Sequence, residues 1–486
     1  SDHQHGNAAI NFFGDASMTL DGGGGVVLGR QNLGQSGQLG AKFVSESSII
    51  TQASGHAIRG EGQIQAALVN EGLVEAADED GDGIGVLLIT NTASGAANAF
   101  NKNTFRAPAN PVIDLNGRLE QSPAGRLITA DGGLIEFRQA MLTGGSIETE
   151  GAGVAEVSNL SVFVDVTNKG TLNILSGGSS ALLTVRGSSF VNDGVVTINS
   201  DGTIFGARVI FEESVDMSGA GEMIVGGAGP GSLSIAAGKE LTQQAGHAIK
   251  GRGQLLGTSG VLVNHGTLSG ASNSEMMDVD VILQGTGLLR DLFIDGIHAP
   301  GDPNGSPTAA VSLEGAYSFG NGPGINGANR LEIEIGGVTP GAEYDQLVST
   351  DVNNSVTINP FRTELEVSLI DLNNGYVPAA GQRFTIIDST NDILGMFDDV
   401  VLPETGLGRS LQWAPVDLSD PTKLVLEIVA ADFLEADFDE DSDVDQVDLD
   451  IWQAAYGASD LGDADGDGGS TGRDLLIWQH QYGSGV

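Results

Sequence analysis

The sequence predicts an all-β fold: a parallel β-helix, or β-solenoid, followed by a smaller β domain and a small α-helical module at the C-terminal end. Three observations predict this organisation. The 486 residues include 73 glycines and only 5% aromatic residues, a composition that suits short strands joined by tight turns, where glycine adopts positive φ at little cost. A fifteen-residue segment recurs in the first part of the chain. Near the C-terminal end, two acidic loops are each followed by a helix-like segment.

Composition and charge exclude several functions. The chain carries 64 acidic and 21 basic residues, a net charge of −43, and such a surface repels nucleic acid and anionic lipid, so we expect neither as a partner. The absence of cysteine excludes disulfides, Cys-ligated zinc, iron–sulfur clusters and thiol catalysis. No run of about 18 apolar residues occurs, so we expect no membrane insertion. Ser1, without a basic-then-apolar leader, predicts a secreted, extracellular or cell-surface protein after signal removal.

The internal repeat lies at residues 50–64 (ITQASGHAIRGEGQI) and 241–255 (LTQQAGHAIKGRGQL), with nine of fifteen positions identical. An Asn-x-Gly turn follows each copy, beginning at Asn70 and Asn264, and two further turns of this type begin at Asn168 and Asn192. Their intervals of 98, 24 and 72 residues are close to multiples of 24, and a period in the twenties with short strands indicates stacked coils. Residues 1–298 would then form about twelve coils in a rod of about 60 Å.

A proline-rich segment at residues 299–307 divides the chain. Its three prolines interrupt regular strand pairing, so we expect it to be a linker. Alternating strands separated by turn clusters return in residues 308–430 and predict a β-rich domain, either a small sandwich or an irregular end to the solenoid. Three stretches, 331–337, 344–347 and 381–387, resemble the final segment of autotransporter-like β-helical passengers, a resemblance that implies a bacterial surface protein.

Residues 431–486 contain the two acidic loops. Their Trp and Tyr residues repeat at an interval of 26 residues, which favours a duplicated unit over a solvated acidic tail. A twelve-residue loop brings the oxygens of positions 1, 3, 5, 7, 9 and 12 around one hard cation, so we expect Ca2+ to bind and to be coupled to folding. The expected ligands are Asp437, Asp439, Asp441, the Asp443 carbonyl, Asp445 and Asp448 in the first loop, and Asp463, Asp465, Asp467, the Gly469 carbonyl, Thr471 and Asp474 in the second.

This module resembles a type I dockerin, which has two EF-hand-like loops, each closed by Asp and followed by one helix. The resemblance covers residues 432–486 and implies that the helices pair with a cohesin domain on another protein or on a surface scaffold. The sequence departs from the pattern at Ser442, which replaces the turn glycine of the first loop, and at Ser470, which replaces an apolar residue of the second. We therefore expect the two loops to differ in calcium affinity.

Other polar groups are weaker candidates. A third acidic loop at residues 78–83 matches the first half of a calcium loop but lacks an acid at the twelfth position, so a solvated insertion between coils is the favoured interpretation. His56 and His247 occupy the same place in the two repeats, which favours a structural role in stacked coils. His3 and His5 could form a metal pair on one strand face, although an exposed tail is the favoured alternative.

The sequence contains no nucleophile elbow and no phosphate-binding loop in a βαβ context, so we expect a protein that is not an enzyme. The first hypothesis is an extracellular structural or surface protein, stabilised by calcium, that forms a homo-oligomer or homopolymer through an apolar strand at residues 8–13. The second is a cohesin-anchored adhesive module that binds a surface polysaccharide or other glycan. The third is a polysaccharide lyase or hydrolase, which needs clustered acids with a basic residue on one face.

Overall fold

The structure is a computed structural model. It describes the whole chain except residues 1–8, 13–16, 30–40, 80, 82, 84, 91–98, 177–180, 203–205, 321, 323–328, 361, 404–405, 408–410, 432–433, 442 and 485–486, and it describes residues 46 and 47 by their backbone alone. Three of the features predicted from the sequence therefore lie outside the described residues. They are the histidine pair at positions 3 and 5, the serine at position 442, and both ends of the expected joining strand at residues 8–13.

The first half of the chain consists of short strands. These are β1 (Ala9–Phe12), β2 (Met18–Leu20), β3 (Gly25–Leu28), β4 (Ala41–Gln52), β5 (Ala57–Gly60), β6 (Gly62–Asn70), β7 (Leu73–Ala76), β8 (Val86–Thr90), β9 (Ala99–Asn101), β10 (Thr104–Ala107), β11 (Val112–Asn116), β12 (Arg118–Gln121), β13 (Arg126–Ala130), β14 (Leu134–Phe137), β15 (Met141–Thr143), β16 (Ser146–Glu150), β17 (Val154–Val157), β18 (Ser161–Val164), β19 (Thr167–Asn168), β20 (Thr171–Ile174), β21 (Leu182–Arg186), β22 (Ser189–Asn192), β23 (Val195–Ile198) and β24 (Ala207–Phe211).

The second half continues in the same way and ends in two helices. The strands are β25 (Val215–Ser218), β26 (Glu222–Val225), β27 (Gly231–Ile235), β28 (Glu240–Gln243), β29 (Ala248–Gly251), β30 (Gln254–Asn264), β31 (Thr267–Gly270), β32 (Met277–Gly285), β33 (Leu288–Ile294), β34 (Ile297–His298), β35 (Ala310–Phe319), β36 (Asn329–Ile335), β37 (Gln346–Ser349), β38 (Val356–Ile358), β39 (Thr363–Leu369), β40 (Arg383–Ser389), β41 (Leu394–Gly395), β42 (Asp399–Val401), β43 (Leu411–Trp413) and β44 (Lys423–Ala430); the helices are α1 (Gln446–Ala455) and α2 (Gly472–Gln481).

The strands stack as three parallel sheets that share the longer strands. One sheet runs through β1, β4, β6, β8, β11, β14, β17, β20, β23, β26, β29, β31, β33, β35, β37 and β40; the second through β3, β5, β7, β10, β13, β16, β19, β22, β25, β28, β30, β32, β34, β36, β39 and β42; the third through β2, β4, β6, β9, β12, β15, β18, β21, β24, β27, β30, β32, β33, β35, β38 and β41. Each coil contributes one rung to each sheet, which confirms the expected parallel β-helix with a small helical end. At the usual strand spacing these rungs make a rod of about 75 Å.

Alternation along the strands fills the interior. β32, for example, alternates strictly between buried and half-buried residues, because successive side chains of a strand point to opposite faces. Several of the few aromatic residues lie in this interior: Phe105, Phe137, Phe163 and Phe211 are fully buried. The rings of Phe137 and Phe163, on neighbouring coils, lie 4.9 Å apart edge to face. A continuous apolar core thus runs along the stack.

Buried amides form ladders at the corners of the coils. Nδ2 of Asn70 donates to Oδ1 of Asn101 (2.8 Å), and Nδ2 of Asn101 donates to Oε1 of Gln121 (2.9 Å). A second run begins where Nδ2 of Asn168 donates to Oδ1 of Asn192 (2.8 Å). The asparagines also hold their own corners, since Oδ1 of Asn70 accepts the backbone N–H two residues later. Such buried amides are stable only when their polar atoms find partners, as they do here.

The coil length is less regular than the spacing of Asn-x-Gly turns predicts. The stacked residues Asn70, Asn101 and Gln121 are separated by 31 and 20 residues, whereas Asn168 and Asn192 are separated by 24. Coils of different length can stack because only their strands must stay in register. The loops at the corners vary in length instead. The period of 24 is therefore correct for part of the stack and wrong for the rest.

Parallel pairing continues beyond the proline-rich segment. Residues 299–307 contain no strand, yet β35 pairs with β33 on its N-terminal side and with β37 and β38 beyond it. Coils therefore extend through β42, as in an end to the solenoid rather than a sandwich. Next, β44 pairs antiparallel with β40 and with β43. Whether residues 1–298, 308–430 and 431–486 fold as separate domains is a matter of folding cooperativity, so those boundaries stay predictions.

Candidate metal centre

Each acidic loop brings three carboxylates together. In both loops, oxygens from the side chains at positions 1, 3 and 12 lie within 4.8 Å of one another, and in the first loop positions 7, 9 and 12 form a second such group. The groups are Asp437, Asp439 and Asp448; Asp443, Asp445 and Asp448; and Asp463, Asp465 and Asp474. Clusters of this kind beside the two helices could hold a metal ion, which would neutralise their mutual repulsion.

The loop-closing aspartates are the most deeply buried of these residues. Asp474 is fully buried: its Oδ1 accepts the N–H groups of Ala464 (2.8 Å) and Asp465 (3.0 Å), and its Oδ2 accepts the N–H (2.6 Å) and the hydroxyl (2.9 Å) of Thr471. In the first loop Asp448 accepts the N–H groups at the equivalent positions. The carboxylate at position 12 thus ties the beginning of each loop to the helix that follows.

Helix capping explains why the chain folds this way locally. Asp445 and Thr471 are the N-caps of α1 and α2, and each forms a capping box with the aspartate three residues later. The capping residue satisfies an N–H of the first turn, and an acidic residue there favours the positive end of the helix dipole. Position 12 of each loop, and position 9 of the first loop, therefore belong both to a helix cap and to a carboxylate group.

The loops hold carboxylates close together, and among the described residues the one ion pair within them joins Arg473 to Asp465 (3.2 Å) in the second loop. Burial, followed by repulsion from Asp441, raises the pKa values of Asp439 and Asp443 above the usual range. Burial also acts to raise the pKa of Asp474, but the hydrogen bonds from Thr471, Asp465 and Ala464 outweigh it and hold this pKa below the usual range. A bound cation would favour the charged form of every carboxylate in the loop.

The remaining expected ligands lie outside the three groups. Oδ1 of Asp441 accepts the N–H of Asp443 (3.1 Å), and the N–H of Asp467 donates to Asp463 (3.1 Å). Position 4 has a left-handed backbone in both loops, at Glu440 (φ 65°) and at Gly466 (φ 71°). Glycine adopts a positive φ without strain, so Gly466 suits this position of the second loop. Gly469 lies outside the carboxylate groups.

The Trp and Tyr residues repeated at 26-residue intervals join the two halves. Nε1 of Trp452 donates to the carbonyl of Thr471, and Nε1 of Trp478 donates to the carbonyl of Asp445, both at 2.9 Å. Each indole therefore contacts the N-cap residue of the other half. The ring centroids of Trp452 and its partner Tyr456 lie 5.0 Å apart, and the equivalent pair in α2 lies 4.8 Å apart. The pairing makes the two loops parts of one unit.

The departure at Ser470 has a structural reason. Its buried hydroxyl accepts the N–H of Gly462 (2.9 Å), the residue before position 1 of the second loop. The equivalent N–H in the first loop belongs to Ala436 and is accepted instead by Oε1 of Gln481 (2.9 Å). The helix residue equivalent to Gln481 is Ala455, which has no polar atom to offer, so the serine takes its place. This exchange could not be read from either residue alone.

The histidines of the repeat are structural. His56 and His247 are both buried, and in each copy the preceding glutamine, Gln52 or Gln243, donates to the carbonyl of the histidine at 2.8 Å. The ring Nε2 of His247 lies 2.9 Å from Nδ2 of Asn192. Burial lowers the pKa of His247 to about 4. The neutral ring is therefore part of the corner ladder.

The third acidic loop is only partly described. Oδ1 of Asp78 accepts the N–H of Gly81 (2.8 Å) and Oδ2 accepts that of Gly83 (2.9 Å), whereas the acids at positions 80 and 82 lie outside the described residues. A turn of this kind needs no metal.

A further group of carboxylates is not predicted by any sequence motif. Asp278 and Asp280 face outwards on β32, and burial raises the pKa of both. The negative charge of Asp295, on the next coil, adds to the rise in each case. Only the strand register brings these residues together, so no local pattern could have revealed them.

None of the described helices is long and apolar enough to cross a membrane. No protein-family model matches this chain, and no curated protein is significantly similar to it.

Proposed function

We propose that this protein is an extracellular structural rod without catalytic function, attached to its surroundings through a calcium-dependent C-terminal module. The observation that carries the proposal is the combination of an uninterrupted parallel stack, from β1 to β42, with paired acidic loops beside α1 and α2. A solenoid of this kind gives length and stiffness because each coil packs on its neighbours along one axis. A small metal-dependent unit at its end suits attachment.

Calcium is the ion that the loops favour. Their potential ligands are carboxylate, hydroxyl and backbone oxygens, which suit hard cations, and the two loop sequences, 437–448 and 463–474, contain no cysteine, methionine or histidine. The twelve-residue spacing with an acid at position 12 accommodates the larger coordination number of calcium better than the strict octahedron of magnesium. Extracellular calcium concentrations would keep such loops occupied, which agrees with the proposed location and with a net charge of −43.

The attachment partner that we propose is a cohesin-type domain, in line with the resemblance of residues 432–486 to dockerins. Several large apolar side chains of this segment are exposed: those of Val447, Tyr456, Leu461, Leu476 and Tyr482 are between 48% and 71% exposed. Exposed apolar residues grouped on so small a unit support a role in protein–protein contact. Chelation of calcium would abolish that contact, since the helices are positioned by the loops.

Self-assembly is a second candidate, favoured by the first rung of the stack. Ile10, Met18 and Val27, on β1, β2 and β3, are between 40% and 62% exposed. Among the described residues each of these strands pairs on one side only, and such edges invite pairing with another copy. At the opposite end β44 pairs antiparallel with β40 and covers the last rung of one sheet, whereas β41 and β42 pair on one side only among the described residues. Stacking through the N-terminal rungs would join two copies.

The proposal is tested by electron microscopy and affinity capture of the full chain. We expect single rods of about 75 Å in the solenoid, and calcium-dependent retention on immobilised cohesin domains that chelator reverses. The Asp448→Asn, Asp474→Asn double variant should be lost from the column, whereas Asp450→Asn, an exposed acid of α1 outside the loops, should be retained. Rods retained equally with chelator would overturn the calcium-dependent attachment. Globular particles would overturn the rod.

A further inference from the structure

Most described cations of the solenoid pair with an acid, and Arg208 is one of the few that do not. Arg186 pairs with Glu212 at 2.6 Å and Arg252 with Glu275 at 3.0 Å, each contact joining neighbouring coils. Arg208, in the same region, has neither an ion pair nor a hydrogen bond among the described residues, although acids outnumber bases threefold in this chain. Its guanidinium is exposed with all of its donors available.

The strand register explains why Arg208 has no partner. In the third sheet Arg208 on β24 lies beside Leu182 on β21 and Ser232 on β27, and Ser232 lies beside Gln254 on β30. These four outward positions form a row along the axis of the rod, one on each of four successive coils. No carboxylate occupies the two places beside the arginine, where an acid would complete the ladder seen elsewhere.

A groove of about 570 Å³ runs along this row. The groove is lined by the apolar side chains of Leu160, Leu182 and Pro230 and by the polar side chains of Arg208, Ser232, Arg252 and Gln254. Of its two arginines, Arg252 is already paired with Glu275, which leaves Arg208 as the cation available to a ligand. Leu160 is 54% exposed, so its side chain is accessible to a molecule in the groove. Apolar patches beside spaced hydrogen-bonding groups are typical of a binding groove.

We propose that this groove binds a linear acidic glycan, with Arg208 pairing with a sugar carboxylate. The planar guanidinium offers two parallel N–H donors to a carboxylate. The hydroxyl of Ser232 donates to and accepts from hydroxyl groups of the following sugars. Nε2 of Gln254 donates to Asp278, so Gln254 offers mainly its Oε1 as an acceptor. The spacing of side chains on successive strands, about 4.8 Å, is close to the repeat of a pyranose chain. Leu182 and Pro230 contact the apolar faces of the rings. This site is additional to the proposed rod and its attachment module and does not depend on them.

The direction of the groove favours a glycan over an acidic peptide. An extended peptide gains much of its affinity by adding a strand to a free sheet edge. Here β21, β24, β27 and β30 are each paired on both sides, so the groove crosses a sheet face and presents side chains alone. The net charge of −43 acts against densely charged polymers at long range, but at physiological ionic strength charges beyond about 8 Å are largely screened.

The test is calorimetric titration of the full chain with tetragalacturonate, its methyl ester, and an acidic peptide of similar length. We expect tetragalacturonate to bind, the uncharged ester to bind at least about tenfold more weakly, and Arg208→Gln to weaken tetragalacturonate by a similar factor, as expected for a lost charge-assisted pair. The matched control is Lys239→Gln, which removes another exposed, unpaired cation outside the groove and should leave the affinity unchanged.

Each alternative result contradicts the proposal. Failure of tetragalacturonate to bind would exclude the site, and equal binding of the ester would exclude a role for the carboxylate. Equal loss in Lys239→Gln would mean that general charge and not the groove controls binding. If the peptide bound as tightly as tetragalacturonate or more tightly, the ligand of the groove would be an acidic peptide and not a glycan. In every case the folded state is checked by unchanged circular dichroism.

Discussion

Nε1 of Trp478 donates a hydrogen bond to the backbone carbonyl of Asp445, 33 residues earlier in the chain. Asp445 is the N-cap of α1 and belongs to one of the carboxylate groups of the first loop, so this bond joins the core of the second half to the acidic loop of the first. The equivalent bond from Trp452 to Thr471 runs the other way. Neither loop can be positioned independently of the opposite helix.

We predict that Trp452→Phe and Trp478→Phe each destabilise the module by about 1–2 kcal/mol, because each leaves a carbonyl without its donor. The effect should reach the opposite loop. Calorimetric titration of Trp478→Phe should show weaker calcium binding to the first loop, measured against Trp413→Phe, which alters the third tryptophan in β43. Loss confined to the second loop would contradict the cross-connection.

Removal of a loop-closing aspartate should abolish one calcium site at a time. Wild type is expected to bind two ions, and Asp448→Asn or Asp474→Asn one ion each, with affinity for the altered loop reduced at least about tenfold. Asp450→Asn provides a control of identical charge change. Titration of an unchanged two ions in either loop variant would show that position 12 is not a ligand.

Ser470→Val should destabilise the module by about 1–3 kcal/mol by leaving the N–H of Gly462 buried without an acceptor, although valine matches the residue at the equivalent position, Val444. Adding Ala455→Gln places an amide where Gln481 acts in the other half, and we expect this double variant to recover most of the loss. Thermal unfolding of the two variants provides the comparison. A stabilising Ser470→Val would contradict the exchange of acceptors.

The amide ladder predicts a large effect from a residue far from any site. Asn101→Ala removes the acceptor of Asn70 and the donor to Gln121, and should destabilise the solenoid by about 2–4 kcal/mol. The exposed Asn304→Ala is the control and should change stability by less than about 0.5 kcal/mol. Hydrogen exchange should show the loss centred on the coils that contain residues 70 and 121; a uniform or negligible change would argue against a ladder.

His247 should make the solenoid sensitive to acid. In the folded chain burial lowers its pKa to about 4, whereas an unfolded histidine titrates near 6.5. The unfolded state therefore binds more protons between these values, so the contribution of His247 is complete above about pH 6.5 and is lost as pH falls towards 4. Midpoints of denaturation measured over this range should fall by less in His247→Gln than in wild type. Parallel pH profiles would refute the assignment.

The sequence predicts those features of the fold that depend on neighbouring residues. It does not predict the features that depend on how the strands of successive coils align. Asn70, Asn168, Asn192 and Asn264 identify corners because each precedes a turn that needs the Asn side chain and a glycine. Asn101 does the same work without a glycine two residues later, and its Oδ1 accepts the N–H of Asn103 instead. No turn pattern reveals such a corner, and the prediction of a constant period failed for that reason.

In the acidic loops, too, local features were predictable from the sequence and features that depend on packing were not. Ligand spacing identified the carboxylates of positions 1, 3 and 12, because a cation needs them around one point. The reason for Ser470 lies in the identity of Ala455, fifteen residues away, and appears only when the two halves are packed together. Likewise, the row through Arg208 exists only in the stacked coils, since its members are more than 20 residues apart in sequence.

Hydrogen exchange of the full chain with calcium and with chelator tests the account most directly. We expect chelation to remove the protection of amides in residues 434–484, including the backbone N–H groups held by Asp448 and Asp474, and to leave the coils from β1 to β42 protected. Amides of the module that stay equally protected without calcium would contradict a metal-dependent attachment unit, and loss of protection throughout the coils would contradict an independently stable rod.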